Sequence, residues 1–344
     1  MTNKEIILSA IAGKPAERNA ATLMSAGLWS FARRGLKLQD ALYQPELAAD
    51  VLASTIEEIQ GDMVYAATGY YQLLPRALGA KIKFRPNGVP DLDVPVFADP
   101  SQLDPSRLDR LAGDEGLNFL WETAGRLAKR VGQKFLVACG SFVVLTVGGQ
   151  IVSVEQLMRA LRRDAPAANA VLDYALEACW GYLEPFLRNG AELVSLADPT
   201  ASGDMISRRY FADFIAPRHK ILVDRIHARG AKVMLHICGD VNDRIDLMRD
   251  AGVDVLSLDF KVDLASVREQ LRGRAAFAGN LDPVRVMLQA TPDAIRRLGR
   301  ENIKKYGGDH NYILMPGCDI PGTVPLENVK ALLAAARDEG AVNN

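Results

Sequence analysis

From about residue 130 onward, short apolar runs alternate with longer stretches whose apolar residues recur at helical spacing. This alternation constrains the fold more than any other feature of the chain. The runs are KFLVACG (134–140), AELVSLAD (191–198), AKVMLHICGD (231–240), VDVLSLDF (253–260), AAFAGNLD (275–282) and NYILMPGCD (311–319). Nearly continuous apolar character is what parallel strands buried on both faces require. Between the runs, Ser207 to Gly230 carries Phe211, Phe214, Ile215, Leu222, Val223 and Ile226 three or four residues apart, the stripe of an amphipathic helix. Thr291-Pro292-Asp293 has the form of a helix start, a hydroxyl cap followed by Pro and Asp in the first turn. Asn189-Gly190 and Arg229-Gly230 have the form of helix stops just ahead of strands.

The N-terminal third is less regular. ATLMSAG (21–27) and DMVYAAT (62–68) are the two strand candidates, and Pro45 to Gly61 is a well-patterned helix through Leu47, Val51, Leu52, Ile56 and Ile59. The Pro- and Asp-rich stretch from Lys81 to Pro105 is expected as a surface excursion. The total is eight strands, each followed by helical sequence. That count predicts an α/β chain of the (β/α)8 TIM-barrel class over an open doubly wound sheet. No Gly-rich dinucleotide or phosphate loop follows any of the runs. At 344 residues, division by about 150 per domain suggests two domains. Barrels of roughly this length form one, so a single barrel domain over 1–344 is expected.

Composition narrows the partners. Lys+Arg 41 against Asp+Glu 42 leaves no basic surplus for phosphate backbones, which argues against nucleic acid. The longest apolar region, Leu136 to Val152, is broken by Gly140, Gly148 and Gly149 and carries Ser141, Thr146 and Gln150, unlike a membrane helix. The apolar stretch in MTNKEIILSAIAGK is too short for a signal peptide. A cytoplasmic chain is expected. Four cysteines in this length suit reduced thiols better than a disulfide scaffold.

The sharpest chemical feature is His236-Ile237-Cys238, with Cys318 at a distance. Both groups stand at the carboxyl ends of expected strands, which in a barrel face one mouth. Residues two apart on a strand point the same way, so His236 and Cys238 can share a target. One imidazole and two thiolates suit Zn²⁺, and three protein ligands leave a fourth position open, as in catalytic sites. The competing reading is one core histidine and two inert buried thiols. Cys139 and Cys179 read as core; His219, His227 and His310 read as surface or capping groups.

Acids also stand at strand ends: Asp198, Asp240, Asp259, Asp282 and Asp319. Each could cap the helix that follows. Asp198 and Asp259 are the better functional candidates, either orienting the metal-bound histidine through its second ring nitrogen or holding polar substrate groups. Tyr70 and Tyr71 could line the mouth or pack.

HICGD (236–240), GNLDP (279–283) and PGCDIPGTVPLENV (316–329) resemble the uroporphyrinogen decarboxylase superfamily, and most nearly its cobalamin-dependent methyltransferase branch, which includes methylcobamide:coenzyme M methyltransferases. The likeness extends more weakly over SLADPTASGDMISRRYFADFIAP (195–217) and LGAKIKF (78–84). The resemblance implies a (β/α)8 barrel and a zinc that activates a thiol. The branch's ligand motif carries over to His236, Cys238 and Cys318. It further implies a corrinoid as methyl carrier, brought by a separate carrier protein, and a small thiol or methylated small molecule as the other substrate. Two departures weigh against the decarboxylase branch. Its Arg-rich first-strand motif is here ATLMSAGLWSFARRG, with nothing basic before Arg33 and Arg34, and its last-strand histidine is replaced by Cys318. Tetrapyrrole decarboxylation and a non-catalytic zinc- or corrinoid-binding subunit are the alternatives.

Overall fold

The computed structural model describes residues 1–85, 88–271, 273–307 and 310–338. Ten strands run in chain order: β1 Ala20–Ala21, β2 Met63–Tyr65, β3 Lys81–Lys83, β4 Asp91–Val94, β5 Leu136–Phe142, β6 Leu193–Ala197, β7 Lys232–Ile237, β8 Val255–Leu258, β9 Ala276–Leu281 and β10 Tyr312–Pro316. Eight form one parallel sheet in the order β1-β10-β9-β8-β7-β6-β5-β2. The remaining two are an antiparallel hairpin inside the expected surface excursion. Between β1 and β2 the sheet has no strand ladder and is bridged chiefly by Asp62, with Thr22. Asp62 donates its N–H to the Ala21 carbonyl at 3.0 Å, and its Oδ2 accepts from Ala21 N at 2.7 Å. Arg18 grips the same carboxylate at 2.6 and 2.9 Å, and Thr22 Oγ1 donates to the Met63 carbonyl at 3.1 Å. The result is the α/β barrel expected from the alternation.

The expected helices form with the caps the sequence offers. Pro45–Ile59 begins on its proline, and Pro292–Tyr306 begins where Thr291 Oγ1 accepts from Ala294 N. In the segment after Ser207, residues Phe211–Ile215 widen into a π-turn before the Ala216–His227 helix. Pro217 has no N–H to offer the carbonyl one α-turn back, which accounts for that local change. Gly190 and Gly230 end helices at φ +92° and +79°. The strand expected over 21–27 is observed as Ala20–Ala21 and shares only Ala21 with it; Ser25 and Ala26, left-handed at φ +55° and +57°, turn the end of the expected run away from the sheet. Among the described residues no helix is long and apolar enough to cross a membrane.

The barrel interior grades along its axis. Toward the strand N-termini it is filled by Leu136, Leu193, Met234, Val255 and Ile313. The helix Asn3–Ile11 packs Ile6, Ile7, Ala10 and Ile11 against this layer. That helix is held by a reciprocal cap between Thr2 and Glu5. Toward the strand C-termini the inward positions become Gly140, Ser195, Ala197, His236 and Ser257, and this loss of side-chain volume opens a cavity at the mouth.

Candidate metal centre

His236 sits near the end of β7 and faces the barrel interior, while Ile237 turns outward into the core between sheet and helices. Strand register sets His236 opposite Ser257 of β8. Its Nδ1 lies 3.0 Å from Ser257 Oγ and 3.2 Å from the Ser257 carbonyl oxygen. A carbonyl can only accept, so the ring proton belongs on Nδ1 and the lone pair on Nε2. Nε2 is 2.9 Å from Cys238 Sγ, which is 3.5 Å from Cys318 Sγ. All three ligand atoms lie within 4.8 Å of one another.

This donor set fits zinc. With Zn–S near 2.3 Å and Zn–N near 2.0–2.1 Å, tetrahedral ligands stand about 3.5–3.8 Å apart, so small side-chain shifts bring all three within bonding distance. The histidine is already in the tautomer a metal needs, and its second nitrogen is fixed by a neighbour. The thiols are poised as well. A hydrogen bond from the Cys238 thiol holds the Cys318 thiol well below its ordinary value, while the same hydrogen bond and burial push Cys238 up.

Local backbone aims the ligands. Gly239, at φ +82°, turns the chain immediately after Cys238, and a Cβ there would meet Asp204 Oδ2 at 2.5 Å. The Gly239 N–H donates to Asp259 Oδ2 at 3.0 Å, and Lys261 N donates to Asp259 Oδ1 at 3.2 Å. Asp198 is fully buried. Its carboxylate accepts from Leu145 N, Thr146 N and Thr146 Oγ1, and lies 2.9 Å from His219 Nε2. Its own N–H donates to the His236 carbonyl at 2.9 Å.

The sequence expectation is corrected on several counts. Of the two roles open to Asp198 and Asp259, the contact with the second nitrogen of His236 is made instead by Ser257, because register puts that hydroxyl directly across. Neither carboxylate lines the cavity. His219 is not a surface group; it is buried against the edge of Phe211 and bound to Asp198. His227 is exposed and pairs with Asp254 at 2.7 Å, and His310 is exposed. Cys139 and Cys179 are fully buried, and burial pushes both thiols well above their ordinary value.

The cavity beside the three ligands measures about 250 Å³. Met24, Phe142, Ala197 and Pro199 give it apolar walls, and Ser25, Tyr65, Tyr71, Ser141 and Ser195 supply hydroxyls. Tyr71 packs on Phe142 at 5.1 Å and shares a 2.5 Å hydrogen bond with Ser25, whereas Tyr70 turns into the core and donates to the Leu38 carbonyl. Among the described residues Asp319 is the one carboxylate in the wall, a role the sequence did not single out. Burial and the neighbouring Cys318 push its carboxyl up to about 7, against donors from Ala26 N and Ile320 N. Arg33 and Arg34, the first basic residues after the opening strand, point away to Glu58 and Ser54 on the Pro45–Ile59 helix.

Known proteins resemble this chain over nearly its whole length. The family model for uroporphyrinogen decarboxylase (URO-D) matches residues 2–339. A methylcobamide:CoM methyltransferase of Methanosarcina barkeri is 28% identical over 343 residues, covering 98% of each chain. A uroporphyrinogen decarboxylase of Prochlorococcus marinus is 26% identical over 349 residues, covering 97% of this chain and 96% of its own. Among solved structures, a methyltransferase from Methanosarcina mazei superimposes with a TM-score of 0.88 at 26% identity, over 98% of this chain and 99% of that one.

Proposed function

Since the chain belongs to the uroporphyrinogen decarboxylase family, and methylcobamide methyltransferases are among its relatives, we propose that it is a zinc-dependent methyltransferase. It moves a methyl group between a corrinoid and a small thiol or small methylated substrate, and acts as one barrel domain in the cytoplasm. The convergence of His236 Nε2, Cys238 Sγ and Cys318 Sγ at the barrel mouth carries this reading. Zinc bound there would lower the pKa of a substrate thiol and present it as a thiolate at neutral pH.

The chain's residues do the rest. Ser257 holds the imidazole by Nδ1, Asp259 fixes the turn after Cys238, and Asp198 ties the end of β7 to the start of the Val144–Val152 helix. Asp198 and Asp259 are therefore positioning residues. The cavity holds the substrate sulfur beside the ligands and excludes water, so that attack on the methyl carbon gains from proximity. A methylated corrinoid would supply the methyl group to the substrate sulfur and, as leaving group, would keep the electron pair of the carbon–cobalt bond. A volume of about 250 Å³ falls below the 300–1,000 Å³ of sites for drug-sized ligands. A corrinoid must then dock over the mouth, which supports delivery on a carrier protein.

The decarboxylase alternative asks the site to hold a polycarboxylate. Among the described residues, the cavity lining contains neither Arg nor Lys. Incubation with uroporphyrinogen, with and without chelator, tests this directly. No loss of carboxylates is expected, and chelator-insensitive decarboxylation would replace the methyltransferase reading.

A further inference from the structure

We infer that the small substrate of this site is uncharged, and that the cavity disfavours an anionic substrate such as a sulfonated thiol. The inference rests on the methyltransferase reading above and specifies its substrate class. Among the described residues the lining offers no cationic side chain other than His236, which is committed to the metal ligand set. The acidic groups it does offer, Cys238, Cys318, Asp319 and the two tyrosines, can supply no positive charge. With zinc held by two thiolates and one neutral imidazole, the net charge of that centre is close to zero. It leaves no surplus positive charge to balance a second anion.

The polar groups in the wall are hydroxyls, those of Ser25, Tyr65, Tyr71, Ser141 and Ser195. Hydroxyls can satisfy an alcohol, ether or thioether at little cost. An anion taken out of water without a counter-charge is expensive, because its hydration is lost and hydroxyl dipoles only partly replace it. Tyr71 and Ser25 are moreover engaged with each other at 2.5 Å, which reduces what remains to offer an incoming group. Coenzyme M, after which several relatives are named, is a two-carbon thiol ending in a sulfonate. With its sulfur at the ligand set, so short a tail keeps the sulfonate against these walls. A sulfonate held there would meet no Arg or Lys among the described lining residues.

The test is a binding measurement on the full chain with cobalt(II) in place of zinc, whose sulfur-to-metal absorption reports a thiol entering the fourth position. 2-Mercaptoethanol and 2-mercaptoethanesulfonate, which differ chiefly in the terminal charge, are titrated at neutral pH. The uncharged thiol is expected to saturate the spectral change at a concentration at least tenfold lower. Equal or tighter binding of the sulfonate would overturn the inference while leaving the methyltransferase reading intact. A cobalt-loaded protein whose spectrum responds to neither thiol would overturn this inference together with the thiol-accepting form of the methyltransferase reading.

Discussion

His236 and Ser257 are register partners on adjacent strands, and the serine hydroxyl lies 3.0 Å from the imidazole Nδ1. The Ser257 carbonyl oxygen, 3.2 Å from the same nitrogen, fixes the tautomer, and the hydroxyl helps hold the ring so that Nε2 faces the two sulfurs. Removing a group that orients a metal-bound histidine typically costs 10–100-fold in metal affinity. Ser257→Ala should lower zinc affinity by about that factor in a chelator competition, with an unchanged circular dichroism spectrum. Affinity equal to the parent protein would show that the hydroxyl does not position the ring.

The ligand assignment predicts a sharp contrast among cysteines. Cys238→Ser and Cys318→Ser should each lose stoichiometric zinc on elemental analysis. Cys179→Ala should keep it, with a stability loss of only about 1–2 kcal/mol for the trimmed core atom, since this thiol is fully buried away from the cavity. Full zinc content in both serine variants would dismantle the centre as described.

Asp198 joins β6, the Val144–Val152 helix and His219 through a carboxylate that solvent does not reach. Deleting it strands several buried donors at once. Asp198→Ala should cost about 3 kcal/mol or more in a denaturant titration. The loss should exceed that of Asp259→Ala, whose carboxylate accepts from only two backbone N–H groups. A near-neutral Asp198→Ala would mean that the neighbouring backbone relaxes to find other partners.

The elements that were legible in the sequence share a physical cause. Strands covered on both faces must be apolar throughout, so β5 to β10 announce themselves as runs such as KFLVACG and NYILMPGCD. His236, Cys238 and Cys318 were legible because strand ends in such a barrel converge, whatever the separation in sequence. Direction was not legible. Asp198, Asp259 and Asp319 all stand at strand ends, yet only Asp319 enters the cavity wall, and which way each turns depends on tertiary donors. The helix Asn3–Ile11 carries a readable signal in Thr2 and Glu5 spaced as a reciprocal cap, but its packing against the barrel floor is a long-range contact. His219 looked like a surface residue because its helix is amphipathic; its partner lies 21 residues earlier in the chain.

If the metal takes thiolate rather than thiol, binding of a small thiol to the zinc-loaded protein releases about one proton near neutral pH. Calorimetry in buffers of different ionisation enthalpy counts it. Heats independent of buffer would mean that sulfur does not reach the metal.

The central claim is methyl transfer at the His236, Cys238 and Cys318 centre, and cobalamin absorbance follows it directly because methylated and reduced corrinoids differ in spectrum. Zinc-loaded protein is mixed with methylcobalamin and a small uncharged thiol, or with reduced cobalamin and the corresponding methyl thioether. The corrinoid spectrum should change in one of these directions. The change should vanish after chelation, return when zinc is restored, and be absent from His236→Ala. A corrinoid spectrum that stays constant in both directions, or changes equally in metal-stripped protein, would contradict the account.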